Sequence, residues 1–334
     1  MTGEVTMKRF YLFLLVIIGA ASVIRAESSD AAAMLKFAFS PRAAAMGHAY
    51  TAIAEGLPTI FYNPSGLGKS LTGLEIGANS AQLSGETADL DNQYHSVMVG
   101  LPTQFGNWGV AFVYHSIGDI EQRDVNGVRL GVFDFSSSLI YLSWGKTFFL
   151  GPLGDMSVGL TTKYLSQSFG GDLGSANGLG GFDLGLLVKP LAGFGMDELS
   201  LGIVMADLGG SVKWKSGRKD EIDPKAKLGL GYEYFMSSLT LKIAMDAWQC
   251  KDAPLRLSLG SEIAYRSNPK YVFKFRAGIR DFFVEERYED MDFSTNAQFS
   301  LGLGAQLFKH FLVDYAYLNQ NYGSLNYFGI GYKF

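Results

Sequence analysis

Three groups of residues in this sequence could do chemistry, and each implies a different kind of site. Gly66-Leu67-Gly68-Lys69-Ser70 ends like a phosphate-binding loop, in which backbone N–H groups cradle phosphates and a lysine reaches them. A working loop needs glycine where Asn63 stands, a buried parallel strand before it and a helix after it. Residues 71–83 instead alternate apolar and polar as a strand does, so nucleotide binding is not expected. The second group is His48, His95, His115 and His310, whose spacing fits neither a helical nor a hairpin metal site. With Cys250 as the lone cysteine and no G-x-S-x-G sequence, no metal, cofactor or catalytic residue is expected, and the chain does not read as an enzyme. The third group is a set of charges that share one face of successive segments: Lys163, Lys225, Lys227, Lys242, Arg256, Lys274, Arg276, Arg280 and Lys333, against Asp183, Glu233, Asp246, Glu262 and Asp314. They could zip an enclosed interior with salt bridges. Alternatively a few cations, Arg42, Lys242, Arg256, Lys274 and Arg276, could hold the carboxylate of an amphipathic ligand whose tail lies on apolar residues.

The elements that carry those charges decide between the two. Lys8 and Arg9 precede an apolar run that closes on small residues at Ala26, the pattern of a signal peptide over residues 1–26. That run is shorter than the ~20 residues of a membrane-spanning helix, and no later segment is long and apolar enough to span as one. One cysteine excludes an internal disulfide, and a net charge of −4 gives no footprint for nucleic acid. From residue 71 onward about fourteen segments, each of roughly 9–12 residues, alternate with period two, the length a tilted membrane strand needs. They run over 71–83, 92–103, 107–120, 133–149, 156–168, 178–189, 200–214, 225–235, 239–248, 255–265, 271–280, 297–307, 311–318 and 325–334. In 239–248, Leu239, Leu241, Ile243, Met245 and Ala247 oppose Lys242 and Asp246, and Phe299, Leu301 and Leu303 oppose Ser300, Gly302 and Gly304.

Alternation alone leaves open whether the apolar face meets lipid or a second sheet. Three features point to lipid. The polar faces are rich in glycine and serine, as a crowded lumen would be. Tyr232, Tyr234, Tyr265, Tyr315 and Tyr317 sit near strand ends on the apolar face, like an interfacial girdle. The chain stops on a strand whose Phe328, Ile330, Tyr332 and terminal Phe334 share one face, which resembles the sorting signal read by the barrel-assembly machinery. With the N-terminus periplasmic, the connections alternate between long polar loops outside and short turns inside, 150–155 and 190–199 excepted. The expected fold is therefore all-β: a transmembrane antiparallel β-barrel of about fourteen strands over residues 70–334, in outer-membrane lipid.

Residues 27–69 are the part that does not alternate. Ser40 and Pro41 can start a helix, the small-residue run through Glu55 can continue it, and Gly56 can end it. Residues 57–62 read as extended, and Asn63-Pro64-Ser65-Gly66 has the residues of a type I turn. A segment with so many small side chains reads as a hatch, or plug, packed inside the barrel. Arg42 to Gly47, RAAAMG, followed by Asn63-Pro64-Ser65-Gly66-Leu67, resembles the N-terminal hatch of the PorV/PorQ-like outer-membrane proteins, relatives of the FadL-type long-chain fatty-acid channels. Looser matches follow at Gly181-Phe182-Asp183-Leu184-Gly185-Leu186 and Ala206-Asp207-Leu208-Gly209, and His48 stands where the family usually has glycine. The resemblance implies a hatch motif of Arg42, Gly47, Asn63, Pro64 and Gly66, and passage of a hydrophobic or amphipathic small molecule such as a long-chain fatty acid. It equally implies a second role, as a substrate-binding barrel beside type IX-like secretion components. Pairing of Arg42 with Asp183 or Glu233 is the expected contact if it faces the wall.

Overall fold

The computed structural model describes residues 33–36, 39–84, 92–150, 154–170, 174–189, 197–250, 255–284, 297–320 and 323–334; the expected signal peptide lies outside them. Fourteen strands close into one barrel. They are β1 (Glu75–Ser84), β2 (Asn92–Thr103), β3 (Gly106–Arg123), β4 (Arg129–Phe149), β5 (Asp155–Phe169) and β6 (Gly174–Lys189). Next come β7, in two pieces (Asp197–Leu208 and Ser211–Trp214), and β8, likewise in two (Lys219–Glu221 and Lys225–Phe235). The rest are β9 (Leu239–Cys250), β10 (Arg256–Asn268), β11 (Tyr271–Val284), β12 (Gln298–Leu307), β13 (Phe311–Gln320) and β14 (Gly323–Lys333). Each pairs antiparallel with its neighbours in sequence, and β1 closes on β14 from Glu75↔Lys333 to Ser84↔Ser324. Closure satisfies every edge, which is what lets a sheet stand in lipid.

The outer face is the apolar one. Phe299, Leu301 and Leu303 are 59%, 62% and 54% exposed, whereas Ser300 between them is 2% exposed. Phe334 points outward too, edge-on to Tyr332 at 4.7 Å, with its N–H donating to Leu74 O at 2.9 Å. The alternation therefore has one cause: lipid on one side and a filled interior on the other.

Residues 39–71 fill that interior, touching strands all round it. Their structure differs from the expected one. Helix α1 covers only Pro41–Ala45, and the chain then turns through Gly47 and His48, both left-handed at φ 59° and 66°. Residues 57–62 are not extended: α2 spans Thr59–Tyr62. Asn63 caps a 3-10 turn, Pro64–Gly66, that leads into α3, Leu67–Ser70. Tertiary contacts override the local preference for one longer helix. Ser300 Oγ donates to Ala45 O at 3.0 Å and accepts from Gly47 N at 3.1 Å, drawing the chain out of the helix against β12.

The inner glycines explain how the segment fits. Gly145, Gly159 and Gly185 lie side by side across β4, β5 and β6 and face the Asn63–Ser65 turn. Gly202 and Gly229 face Thr51 and Ala52, while Gly260 and Gly278 face Met46 and Gly47. A Cβ at Gly145 would stand 2.5 Å from Pro64 O, and one at Gly229 2.7 Å from Ala52 N. The wall thus meets the segment backbone to backbone, which only glycine permits.

Candidate functional site

The segment is held by ion pairs that cross the interior. Arg42 on α1 donates to Glu262 on β10 through Nε (3.0 Å) and Nη2 (2.8 Å), and to Glu55 at 3.1 Å. Arg276 on β11 donates to the same Glu262 at 2.6 Å and to Asp314 at 2.6 Å. Lys242 on β9 reaches Glu55 at 2.7 Å and Glu233 at 2.9 Å. Arg42 thus pairs with Glu262 and Glu55, not with Asp183 or Glu233: α1 lies against β11–β14, away from β6. Burial opposes the charge on Arg42, but attraction to Glu262, Tyr50 and Glu55 outweighs it and raises its pKa. Asp246 on β9 adds a second anchor, accepting from Tyr50 N, Thr51 N and Thr51 Oγ1 at 3.0, 3.0 and 2.6 Å. Asn63 Nδ2 donates to Thr51 O at 2.7 Å, tying one half of the segment to the other.

The structure brings together Arg42, Lys242 and Arg276 of the five cations, with Lys274 beside them, and separates Arg256. Arg256 lies toward the long-loop end, 3.2 Å from Asp281 and stacked at 5.1 Å over Trp248. Lys274 lines a chamber at the opposite end, with no carboxylate at ion-pair distance among the described residues.

Two spaces flank the inner segment. On the long-loop side a cavity of about 70 Å³ is walled by Phe39, Phe61, Tyr62, Tyr141, His48 and Lys227, with Asp246 and Arg280 beside them. Phe39, Phe61 and Tyr141 pack edge to face at 5.1–6.4 Å. Among the described residues, His48 Nε2, Tyr62 Oη and Asp246 Oδ1 here have no hydrogen-bond partner, while Arg280 Nε lies 3.4 Å from Asp281 Oδ2. Such atoms are costly unless something satisfies them. Lys227 Nζ sits 5.8 Å above the Tyr62 ring. Nearby, Lys163 binds both Asp183 and Asp207, and Lys225 binds Asp207 at 2.9 Å and Leu35 O at 3.0 Å. Asp207 is left-handed at φ 62°, where β7 breaks before its second piece. Lys227 and Asp246 belong to the inward charges of the alternation. Nothing in sequence spacing marks Tyr62 or His48 as their companions, since the distant chain segments meet only in the closed barrel.

Burial, then the Arg280 and Lys227 charges, hold His48 well below its ordinary imidazole range. Released into water, His48 would titrate near about 6.5. Above that pH both states are neutral and His48 is indifferent. Below it only the released state takes up the proton, so docking weakens as pH falls, by at most ~1.4 kcal/mol per unit. Leak conductance across planar bilayers should rise between pH 7 and 5, and His48→Gln should flatten that rise.

No family model and no curated protein matches the sequence, but solved structures match the fold. The Ralstonia pickettii toluene transporter TbuX superposes with a TM-score of 0.57 at 13% identity, covering 89% of this chain and 98% of its own. The Pseudomonas putida toluene transporter TodX gives 0.51 at 13% identity, covering 93% and 98%. A Pseudomonas aeruginosa FadL homologue gives 0.48 at 12% identity, covering 86% and 96%. In fold, this chain is like the toluene transporters TbuX and TodX. A closed barrel of fourteen strands with an apolar exterior is a protein of the bacterial outer membrane.

Proposed function

We propose that this barrel is a FadL-like channel for hydrophobic or amphipathic small molecules, long-chain fatty acids among them, with residues 39–71 as its hatch. The observation that carries this reading is the cavity against the hatch, where aromatic rings adjoin polar atoms that lack partners. Rings suit an apolar body, and Lys227 suits an acidic head. Arg42, Lys242 and Arg276 then serve as the latch of the hatch, because their carboxylate partners already engage them. The toluene transporters of the same fold support a route for apolar molecules. A role beside secretion components, implied by the likeness to PorV and PorQ, would work through the loops and leave this cavity without a task.

The test is uptake of a labelled long-chain fatty acid and of toluene into proteoliposomes. Both should enter faster than into empty liposomes, and equal rates would overturn the proposal. Lys227→Met should lower fatty-acid uptake by about tenfold, as loss of one charge-assisted contact does, and spare toluene.

A further inference from the structure

The larger space lies on the other side of the hatch. A chamber of about 440 Å³ opens at the barrel end that carries the short turns and both Glu75 and Lys333, the periplasmic end. That volume falls within the range of small-molecule sites and is several times the roughly 70 Å³ of the outer cavity. Ile53 and Leu57 of the hatch and Met98, Leu187 and Leu312 of the wall give it apolar surface. Its other cations are engaged: Arg42 with Glu262 and Glu55, Lys69 with Asp155, Lys189 with Glu198, and Lys333 with Glu75. Lys274 alone among the chamber's cations has no carboxylate within 4.0 Å among the described residues. It projects from β11 beside Arg276, whose Nη2 is itself buried without a partner. An ammonium with no carboxylate at ion-pair distance among the described residues, in a partly apolar chamber, is a place for an acceptor.

We propose a second ligand station here, below the hatch, in which Lys274 holds the acidic head of an amphipathic monoanion and the hatch underside and Leu312 carry its tail. It rests on the channel reading only for a ligand arriving through the barrel. An amphiphile from the periplasm would reach it directly through the open end.

The experiment is photolabelling of the full barrel in lipid nanodiscs with a diazirine-tagged decanoate, mapped by peptide mass spectrometry. Label should appear on residues 53–58 and around Leu312, and separately around Phe39 and Phe61. Lys274→Gln should cut the inner label by roughly fivefold or more, the weight of one charge-assisted contact, and leave the outer label unchanged. Lys274→Arg should keep it. Leu312→Trp, which fills the chamber without changing its charge, should cut the same label and decides the matter if Lys274→Gln does not insert. Absence of inner label in the unaltered protein, or inner label indifferent to both Lys274→Gln and Leu312→Trp, overturns the proposal. Inner label without outer label would leave this station standing and count against the outer site of the channel reading.

Discussion

Glu262→Gln should make the barrel leak. The Glu262 carboxylate is 1% exposed and accepts from Arg42 twice and from Arg276 once, so one side chain joins the inner segment to the wall. An amide keeps the shape but removes the charge, leaving the Arg42 guanidinium with Glu55 as its remaining carboxylate. Breaking a buried pair by removing one partner costs about 3–5 kcal/mol, because the other charge stays behind. Asp246, Asn63 and Ser300 still hold the segment, so the expected outcome is frequent release rather than loss of the barrel. Planar-bilayer recordings should show openings that the unaltered protein lacks. Replacing Arg42 and Glu262 together by methionine should largely restore the closed state, since an apolar pair of similar volume is often as stable as the ionic one. Recordings of Glu262→Gln that match the unaltered protein would remove the ion pair from the account of closure.

Gly145→Leu should dislodge the inner segment while the barrel still forms. The new Cβ would stand 2.5 Å from Pro64 O and 3.0 Å from Leu67 Cβ. The wall cannot yield, because Gly145 is locked into ladders with Asn107 and Gly159 on either side. Overpacking of this kind costs typically ~1–3 kcal/mol, and more where the obstacle is backbone. Heat-modifiable mobility on gels, the sign of a folded barrel, should persist, while limited trypsin treatment should cleave at Lys69 faster than in the unaltered protein. Gly131→Leu is the control, since a Cβ there meets nothing within 4 Å. Equal protease resistance of Gly145→Leu and the control would mean that the glycine contact does not position the inner segment.

These two substitutions also divide what could be read without coordinates from what could not. The strands were legible because lipid on one face and a crowded interior on the other impose a period of two on every one of them. The strand signal at 92–103 and at 225–235 coincides with β2 and with the longer piece of β8 at both ends. The break in β7 at Asp207 was not, since a left-handed aspartate before Gly209 and Gly210 looks like any strand end until Lys163 and Lys225 arrive from two other strands.

By itself, then, the sequence determined the strands, their inward and outward faces and the small-residue segment that has to lie within them, because each is set by neighbours a few positions apart. Only the tertiary structure decided how that segment bends, that Arg42 meets Glu262 across 220 positions, and that Lys274 has no carboxylate at ion-pair distance among the described residues. Local preference in residues 42–55 favoured one helix, but Ser300 and the glycine track of the wall offered the backbone better partners. Closing the barrel brings those groups together, and no spacing along the chain encodes which inward charge will face which.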